Sequence, residues 1–120
     1  MTVAVELTPK ERPEAFELLQ NLRALAKSLR KFLDTEDFAS FEEALRTHQT
    51  IKASRVYAHL SGHLDLDNNI NQLKVIYEST GGKIDDIAFG RMLDQVVYTI
   101  VRANIMATGL EFKLKRMRKG

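Results

Sequence analysis

The sequence contains no cysteine, and this absence excludes disulfide bonds and thiolate chemistry. Tryptophan is also absent, and the chain has only two prolines and six glycines, which excludes a collagen-like repeat. Hydrophobic residues make up 44% of the 120 residues and charged residues 28%. That apolar fraction is sufficient for a core and excludes a disordered chain. We therefore expect a single domain over residues 1–120.

The sequence also lacks a long hydrophobic run. Its most apolar stretch, residues 96–110, is shorter than the roughly 20 residues that span a bilayer, and it contains Arg102 and Asn104. The first residues lack the basic region and long apolar segment of a secretory signal. We therefore expect a soluble, cytoplasmic protein with no membrane partner.

The spacing of apolar residues predicts a mainly α fold, a helical bundle of about four helices. Helices are predicted over residues 13–33, 40–61 and about 68–79, and a last helix is predicted to begin at Asp85 or Asp86. In the first and last predicted helices the apolar residues lie three or four positions apart, which places them on one face of a helix.

Capping and helix-breaking residues indicate the helix boundaries. Residues 8–11 form a capping-box pattern that competes with Pro13 as the start of the first helix. Residues 40–43 form a second capping box, and Gly62 is expected to end the helix that this box begins. Asp67 is expected to cap the third helix.

The two ends of the chain leave the helical pattern. Residues 2–7 alternate, with Val3, Val5 and Leu7 on one side, and residues 1–8 are predicted as a short strand. Beyond Gly109, residues 110–120 fit a strand or a helix almost equally well, and the cost of about 1 kcal/mol for a mid-helix glycine favours a strand. An extended tail is expected to pair with the N-terminal segment as a two-stranded ribbon packed on the helices.

Basic residues concentrate in the C-terminal tail, although the net charge of the chain is only +2. Residues 113–119 of the tail contain no acid and carry five of the 18 basic residues: Lys113, Lys115, Arg116, Arg118 and Lys119. Residues 1–112 contain the other 13 basic residues and all 16 acidic residues, so their net charge is −3. This tail is interpreted either as an electrostatic arm for nucleic acid or an acidic partner, or as a frayed, solubilising terminus.

A row of basic residues in the predicted second helix is another candidate site. Spacings of four, three and four positions place its members on one helix face: His48, Lys52, Arg55 and His59. His63 extends the row only if the helix continues past Gly62. Such a row predicts contact with a nucleic-acid backbone, because cationic side chains displace condensed counterions there. The alternative is an ordinary solvated face.

Neither a metal site nor a catalytic site is predicted. His59 and His63 have the spacing of two metal ligands on a helix, and Asp65 or Asp67 is near enough in sequence to be a third. The catalytic zinc pattern His-Glu-x-x-His is absent, as are a phosphate-binding loop and a nucleophile elbow. We therefore expect a non-enzymatic protein without metal or cofactor.

The last predicted helix is unusually apolar. Beside its core stripe, Val97, Val101 and Ile105 form a second apolar flank. A helix of this kind is normally surrounded by neighbours or lies in a subunit contact. Arg102 is its only charged residue between Gln95 and Leu110 and is expected to pair with an acid such as Asp37 or Asp94. The flank predicts a helical homo-oligomeric protein without nucleic-acid binding.

In overall organisation the chain resembles the helical small subunits of CRISPR effector complexes, which line the nucleic-acid path through basic helix faces. The resemblance is carried by the basic row at residues 48–59 and the basic tail. It implies an accessory subunit of a larger complex that binds RNA or DNA backbone through these residues. Nucleic-acid binding of this kind is the leading hypothesis from the sequence, and homo-oligomeric assembly is its rival.

Overall fold

The computed structural model describes residues 7–79 and 85–118, and these residues form a bundle of four α-helices, as the sequence predicts. The helices are α1 (Arg12–Thr35), α2 (Phe38–Lys52), α3 (His63–Ser79) and α4 (Asp86–Arg118). The molecule measures 52 × 29 × 20 Å. Its long dimension is set by the 33 residues of α4, since a helix of that length extends about 50 Å.

Helix α1 lies at the centre of the bundle, where it packs against both α2 and α4, and α3 packs against α4. The buried side chains of α1 recur every three or four positions, and four of its leucines are 1% exposed or less: Leu18, Leu22, Leu25 and Leu29. The predicted apolar stripe of α4 is buried in the same way at Val96, Ala103 and Ala107. The core is therefore one continuous apolar cluster shared by all four helices.

Aromatic rings close one end of the bundle. The ring of Phe32 in α1 has its centroid 5.2 Å from that of Phe38, 5.4 Å from that of Phe41 and 6.1 Å from that of Phe89. Tyr77 of α3 stacks on Phe38 at 5.7 Å. Because these rings come from four different helices, they fix the relative positions of the helix ends.

The start of α1 combines the two competing predictions. The backbone N–H of Thr8 donates to Glu11 Oε1 at 3.0 Å, and a short 3-10 helix follows at Pro9–Glu11. Pro13 then lies in the first turn of α1, where its missing N–H costs nothing. The capping box and the proline therefore mark two successive helical segments.

The predicted second helix over residues 40–61 is wrong at both ends. Helix α2 begins at Phe38, because Asp37 Oδ1 accepts a hydrogen bond from the backbone N–H of Ala39 at 3.0 Å and the Phe38 ring packs into the aromatic end. It stops at Lys52, where the chain turns back toward α1. There Glu14 Oε1 accepts the backbone N–H of Arg55 at 2.9 Å.

A short 3-10 helix at Tyr57–His59 separates α2 from α3, and Val56 and Leu60 beside it are buried. Helix α3 begins at His63, four residues before the predicted cap at Asp67. Gly62 directly precedes it with φ +89°, a backbone conformation that glycine adopts without the strain other residues meet there. Asp67 therefore lies inside α3 and has a different role, described below.

Of the two alternatives for the residues beyond Gly109, the helix is confirmed and the favoured strand is wrong, because α4 continues through Gly109 to Arg118. Leu110 and Leu114 are 1% and 4% exposed, and burying each contributes about 1.5–3 kcal/mol, which exceeds the helical cost of one glycine. No strand occurs among residues 7–79 and 85–118, so the tail forms no ribbon there. The predicted N-terminal strand falls mostly on residues 1–6, which lie outside the described residues.

Candidate functional site

His48 is not part of an exposed basic face. Its side chain is 5% exposed, and its Nε2 atom lies 2.7 Å from Asp67 Oδ1. The hydroxyl of Tyr57 donates to the same carboxylate oxygen at 2.6 Å, and the backbone carbonyl oxygen of His63 lies 2.8 Å from that hydroxyl. We call His48, Tyr57 and Asp67 the polar cluster. The polar cluster links α2, the 3-10 helix Tyr57–His59 and α3, so its role is to hold these three segments together.

The environment of the polar cluster favours the neutral forms of His48 and Tyr57. Burial lowers the pKa of His48 below its ordinary value of 6.5, although the Asp67 carboxylate partly offsets this effect. Burial, together with the hydrogen bond to Asp67, also raises the pKa of Tyr57. A neutral His48 therefore donates its Nε2 proton to the Asp67 carboxylate. A cavity of about 140 Å³ adjoins the pair and is lined in part by Lys52 and Lys74.

The lowered pKa of His48 predicts an acid-dependent loss of stability. The unfolded chain takes up a proton on this histidine near pH 6.5 while the folded chain does not, so stability falls as the pH drops below that value toward the folded pKa. Urea unfolding at pH 7.5 and 5.5 measures this fall. The variant His48→Gln should flatten it, whereas His59→Gln, at an exposed histidine outside the cluster, should retain it. An unchanged pH slope in His48→Gln would show that another group is responsible.

The remaining members of the predicted basic row lie on three different segments. Lys52 is the last residue of α2, Arg55 lies in the turn after it, and His59 ends the 3-10 helix. All three are exposed, but the helix that was expected to align them with His48 ends at Lys52. Nucleic-acid contact by these three residues stays a prediction, without the shared helix face on which it was based.

The histidine pair is separated in the same way. His59 is exposed, whereas His63 Nδ1 lies 2.8 Å from the backbone carbonyl oxygen of Leu60. Within residues 7–79 and 85–118, no three or more His, Asp or Glu side chains are grouped so as to hold a metal ion.

The basic tail is largely the last turns of α4. Lys115 and Arg116 are exposed and Lys113 is partly exposed. Lys115 Nζ lies 4.0 Å from Glu111 Oε1, and the other oxygen of Glu111 pairs with Arg23 of α1 at 3.2 Å. The side chain of Arg118 and the whole of Lys119 lie outside the described residues, so their predicted contacts stay predictions.

Arg102 pairs with neither predicted partner. Its Nη1 atom lies 3.5 Å from Asp65 Oδ2 of α3, because α3 packs along this side of α4. The pair is well exposed, with side chains 42% and 68% accessible, whereas Asp37 and Asp94 form no ion pair with it. The Nε atom of Arg102 is buried without a hydrogen-bond partner among the described residues. This exposed pair links α3 to α4 and contributes little to stability.

Most of the large apolar side chains that are exposed among residues 7–79 and 85–118 lie on α4. Apart from Ile87 near its start, five of its apolar side chains have about half or more of their surface in solvent: Val97 (48%), Tyr98 (64%), Val101 (51%), Ile105 (65%) and Phe112 (63%). Exposed Asn104 and Thr108 lie between them. We call these seven residues the α4 face. The sequence predicted its valines and isoleucine, but Tyr98 was not included and Phe112 was placed in the mistaken strand.

The α4 face is continuous and uncharged. With about 100° of rotation per residue, its members fall within a sector of roughly 120°, on the side of α4 away from the core. A shallow groove of about 390 Å³ opens on it between Val101, Asn104, Ile105 and Thr108. In the same sector the nearest charges are Asp94 toward the N-terminus and Lys115 and Arg116 toward the C-terminus. The face is thus an apolar strip with an acidic end and a basic end.

A second groove, of about 280 Å³, runs beside this strip between α4 and α1. Its α1 wall carries Arg23, Lys27 and Arg30, a basic row at spacings of four and three that the sequence analysis did not select as a site. Arg23 is paired with Glu111, and Arg30 lies 3.9 Å from Asp34 of its own helix. These cations border the α4 face on one side.

Two further observations concern membrane spans and similarity to known proteins. Among residues 7–79 and 85–118, no helix combines the length and apolar character that crossing a bilayer requires. Comparison with known proteins finds no matching family model, no matching curated protein and no matching solved structure. The resemblance to small subunits of CRISPR effector complexes therefore stays a prediction.

Proposed function

We propose that this protein is a non-enzymatic assembly subunit that associates with itself through the α4 face. The observation that carries the proposal is the exposure of five large apolar side chains in one uncharged strip of α4. Single exposed apolar residues are common on protein surfaces, but contiguous apolar patches with a polar rim are typical of interaction sites.

The composition of the strip supports this choice. Tyrosine and phenylalanine are enriched at protein interfaces and charged residues are depleted from interface centres, which matches the α4 face with its charges at the two ends. The strip lies on a helix whose opposite side is fixed by buried Val96, Ala103 and Ala107. A partner would therefore meet a rigid surface, which lowers the entropy cost of association.

The basic row gives less support to a nucleic-acid function. His48 is buried and bound to Asp67, and Lys52, Arg55 and His59 are distributed over three segments. A polyanion gains affinity from several cations that reach it together, so the loss of a common face weakens the case. The apolar strip, in contrast, keeps its continuity in the folded chain.

The test is a pair of matched substitutions at exposed valines. Val101→Asp places a charge in the α4 face. Val75→Asp places the same charge on α3, at a valine that is 59% exposed and does not belong to the α4 face. We expect Val101→Asp to weaken self-association by about 10- to 100-fold, because the new carboxylate must be desolvated, and Val75→Asp to leave it unchanged. Light scattering coupled to gel filtration over a range of concentrations measures both. Equal behaviour of the two variants would contradict the proposal.

A further inference from the structure

The charges at the ends of the α4 face determine which way a second copy would bind. Asp94 is exposed at the N-terminal end of the strip, and Lys115 and Arg116 are exposed at the C-terminal end. Between them the sector contains no charged side chain over about 31 Å of helix. We propose that two copies of this chain pack their α4 helices antiparallel, with Asp94 of each copy opposite Lys115 and Arg116 of the other. The inference rests on the proposed self-association.

The apolar residues of the strip agree with this register. If Asp94 lies opposite Lys115, the twofold axis passes between Asn104 and Ile105. The same axis places Val97 opposite Phe112 and Val101 opposite Thr108, so a branched aliphatic residue faces a ring or a methyl-bearing side chain in each case. At the Val97–Phe112 pair a large ring meets a smaller side chain, as in interdigitating helix surfaces.

The parallel arrangement would bring like charges together. In a parallel pair, Asp94 would face Asp94 of the other copy at one end. Lys115 and Arg116 would face the same two residues of the other copy at the other end. Two charges of opposite sign border the sector without entering it: Arg91 lies at one edge beside the acidic end, and Glu111 lies at the other edge beside the basic end, 4.0 Å from Lys115. Because like charges at an interface are unfavourable and opposite charges fix orientation, the antiparallel pair is the favoured one. A twofold contact of this kind is also closed and limits assembly to a dimer.

Charge reversal tests the register. Asp94→Lys should weaken the dimer by roughly 10-fold, because it replaces attraction with repulsion at both symmetric ends, and Lys115→Glu with Arg116→Glu should do the same. The variant that combines all three substitutions should dimerise like the unmodified chain. In a parallel dimer none of these changes alters the balance of like charges, so an unchanged affinity for Asp94→Lys would overturn the antiparallel inference while leaving self-association intact.

Cross-linking supplies an independent readout, since the unmodified chain has no cysteine. Val97→Cys and Phe112→Cys are prepared separately and treated with a short bismaleimide, alone and mixed. The antiparallel register predicts cross-linked dimers only in the mixture, because two copies of position 97 are about 22 Å apart along the helix axis. Cross-linking of either variant to itself, or a dimer that never cross-links, would overturn the inference. A chain that remains monomeric at all concentrations would reject the proposed function itself.

Discussion

Replacing Asp67 with alanine is expected to lower the free energy of unfolding by about 3 kcal/mol. The substitution removes the acceptor that His48 Nε2 reaches at 2.7 Å and that the Tyr57 hydroxyl reaches at 2.6 Å. His48 is 4% exposed, so its N–H group would lose a charged acceptor in a largely buried setting, and a water from the adjoining cavity of about 140 Å³ would replace the carboxylate only in part. Tyr57 would retain the carbonyl oxygen of His63 as an acceptor, which limits the loss.

A second aspartate on α3 provides the control for this prediction. Asp65 is 68% exposed and pairs with Arg102 across 3.5 Å, so Asp65→Ala should cost less than about 1 kcal/mol. Chemical denaturation of both variants and thermal melting, where Asp67→Ala should lower Tm by on the order of 10 °C, measure the difference. Equal losses in the two variants would mean that the polar cluster does not hold α2 and α3 together.

The second large effect is expected at the centre of the α4 face. Ile105 is 65% exposed and lies next to the inferred twofold axis, so Ile105→Arg would bring two guanidinium groups together in each dimer. We expect the dissociation constant to rise by about 100-fold or more, because the apolar contact is lost and like charges are desolvated. The stability of the monomer should change little, since an exposed side chain contributes little to the core.

Ile87→Arg is the matched control for Ile105→Arg. Ile87 is 73% exposed and lies on the same side of the same helix, but an antiparallel pair centred between residues 104 and 105 does not extend to it. The dissociation constant of this variant should equal that of the unmodified chain. Analytical ultracentrifugation distinguishes the two outcomes, and an equally weakened Ile87→Arg would place the contact elsewhere on α4.

The helical bundle could be predicted from the sequence because apolar periodicity records which side of each helix is buried. The stripe through Val96, Ala103 and Ala107 is buried as expected, and Asp85 caps α4 through a 2.8 Å bond to the N–H of Ala88. The end of α2 was predicted wrongly because Glu14 binds the backbone of Arg55, a contact between residues 41 positions apart. Local propensity contains no record of such a partner.

The site was predicted less well for the same reason. His48 has the spacing of an exposed basic row, but Asp67, 19 positions later, binds it inside the protein. In contrast, the flank of Val97, Val101 and Ile105 was visible, because exposure on α4 follows from the side of the helix opposite its core stripe. Phe112 belongs to that flank only if α4 continues past Gly109. The sequence signal for this continuation was the helical spacing of Leu110 and Leu114, which are buried in the structure.

Sedimentation equilibrium of the unmodified chain, from low micromolar to several hundred micromolar, tests most directly whether the α4 face is a self-association surface. The account predicts that the average mass rises from that of the 13.7 kDa chain toward twice that value as concentration increases. A mass that stays at 13.7 kDa over the whole range would contradict it.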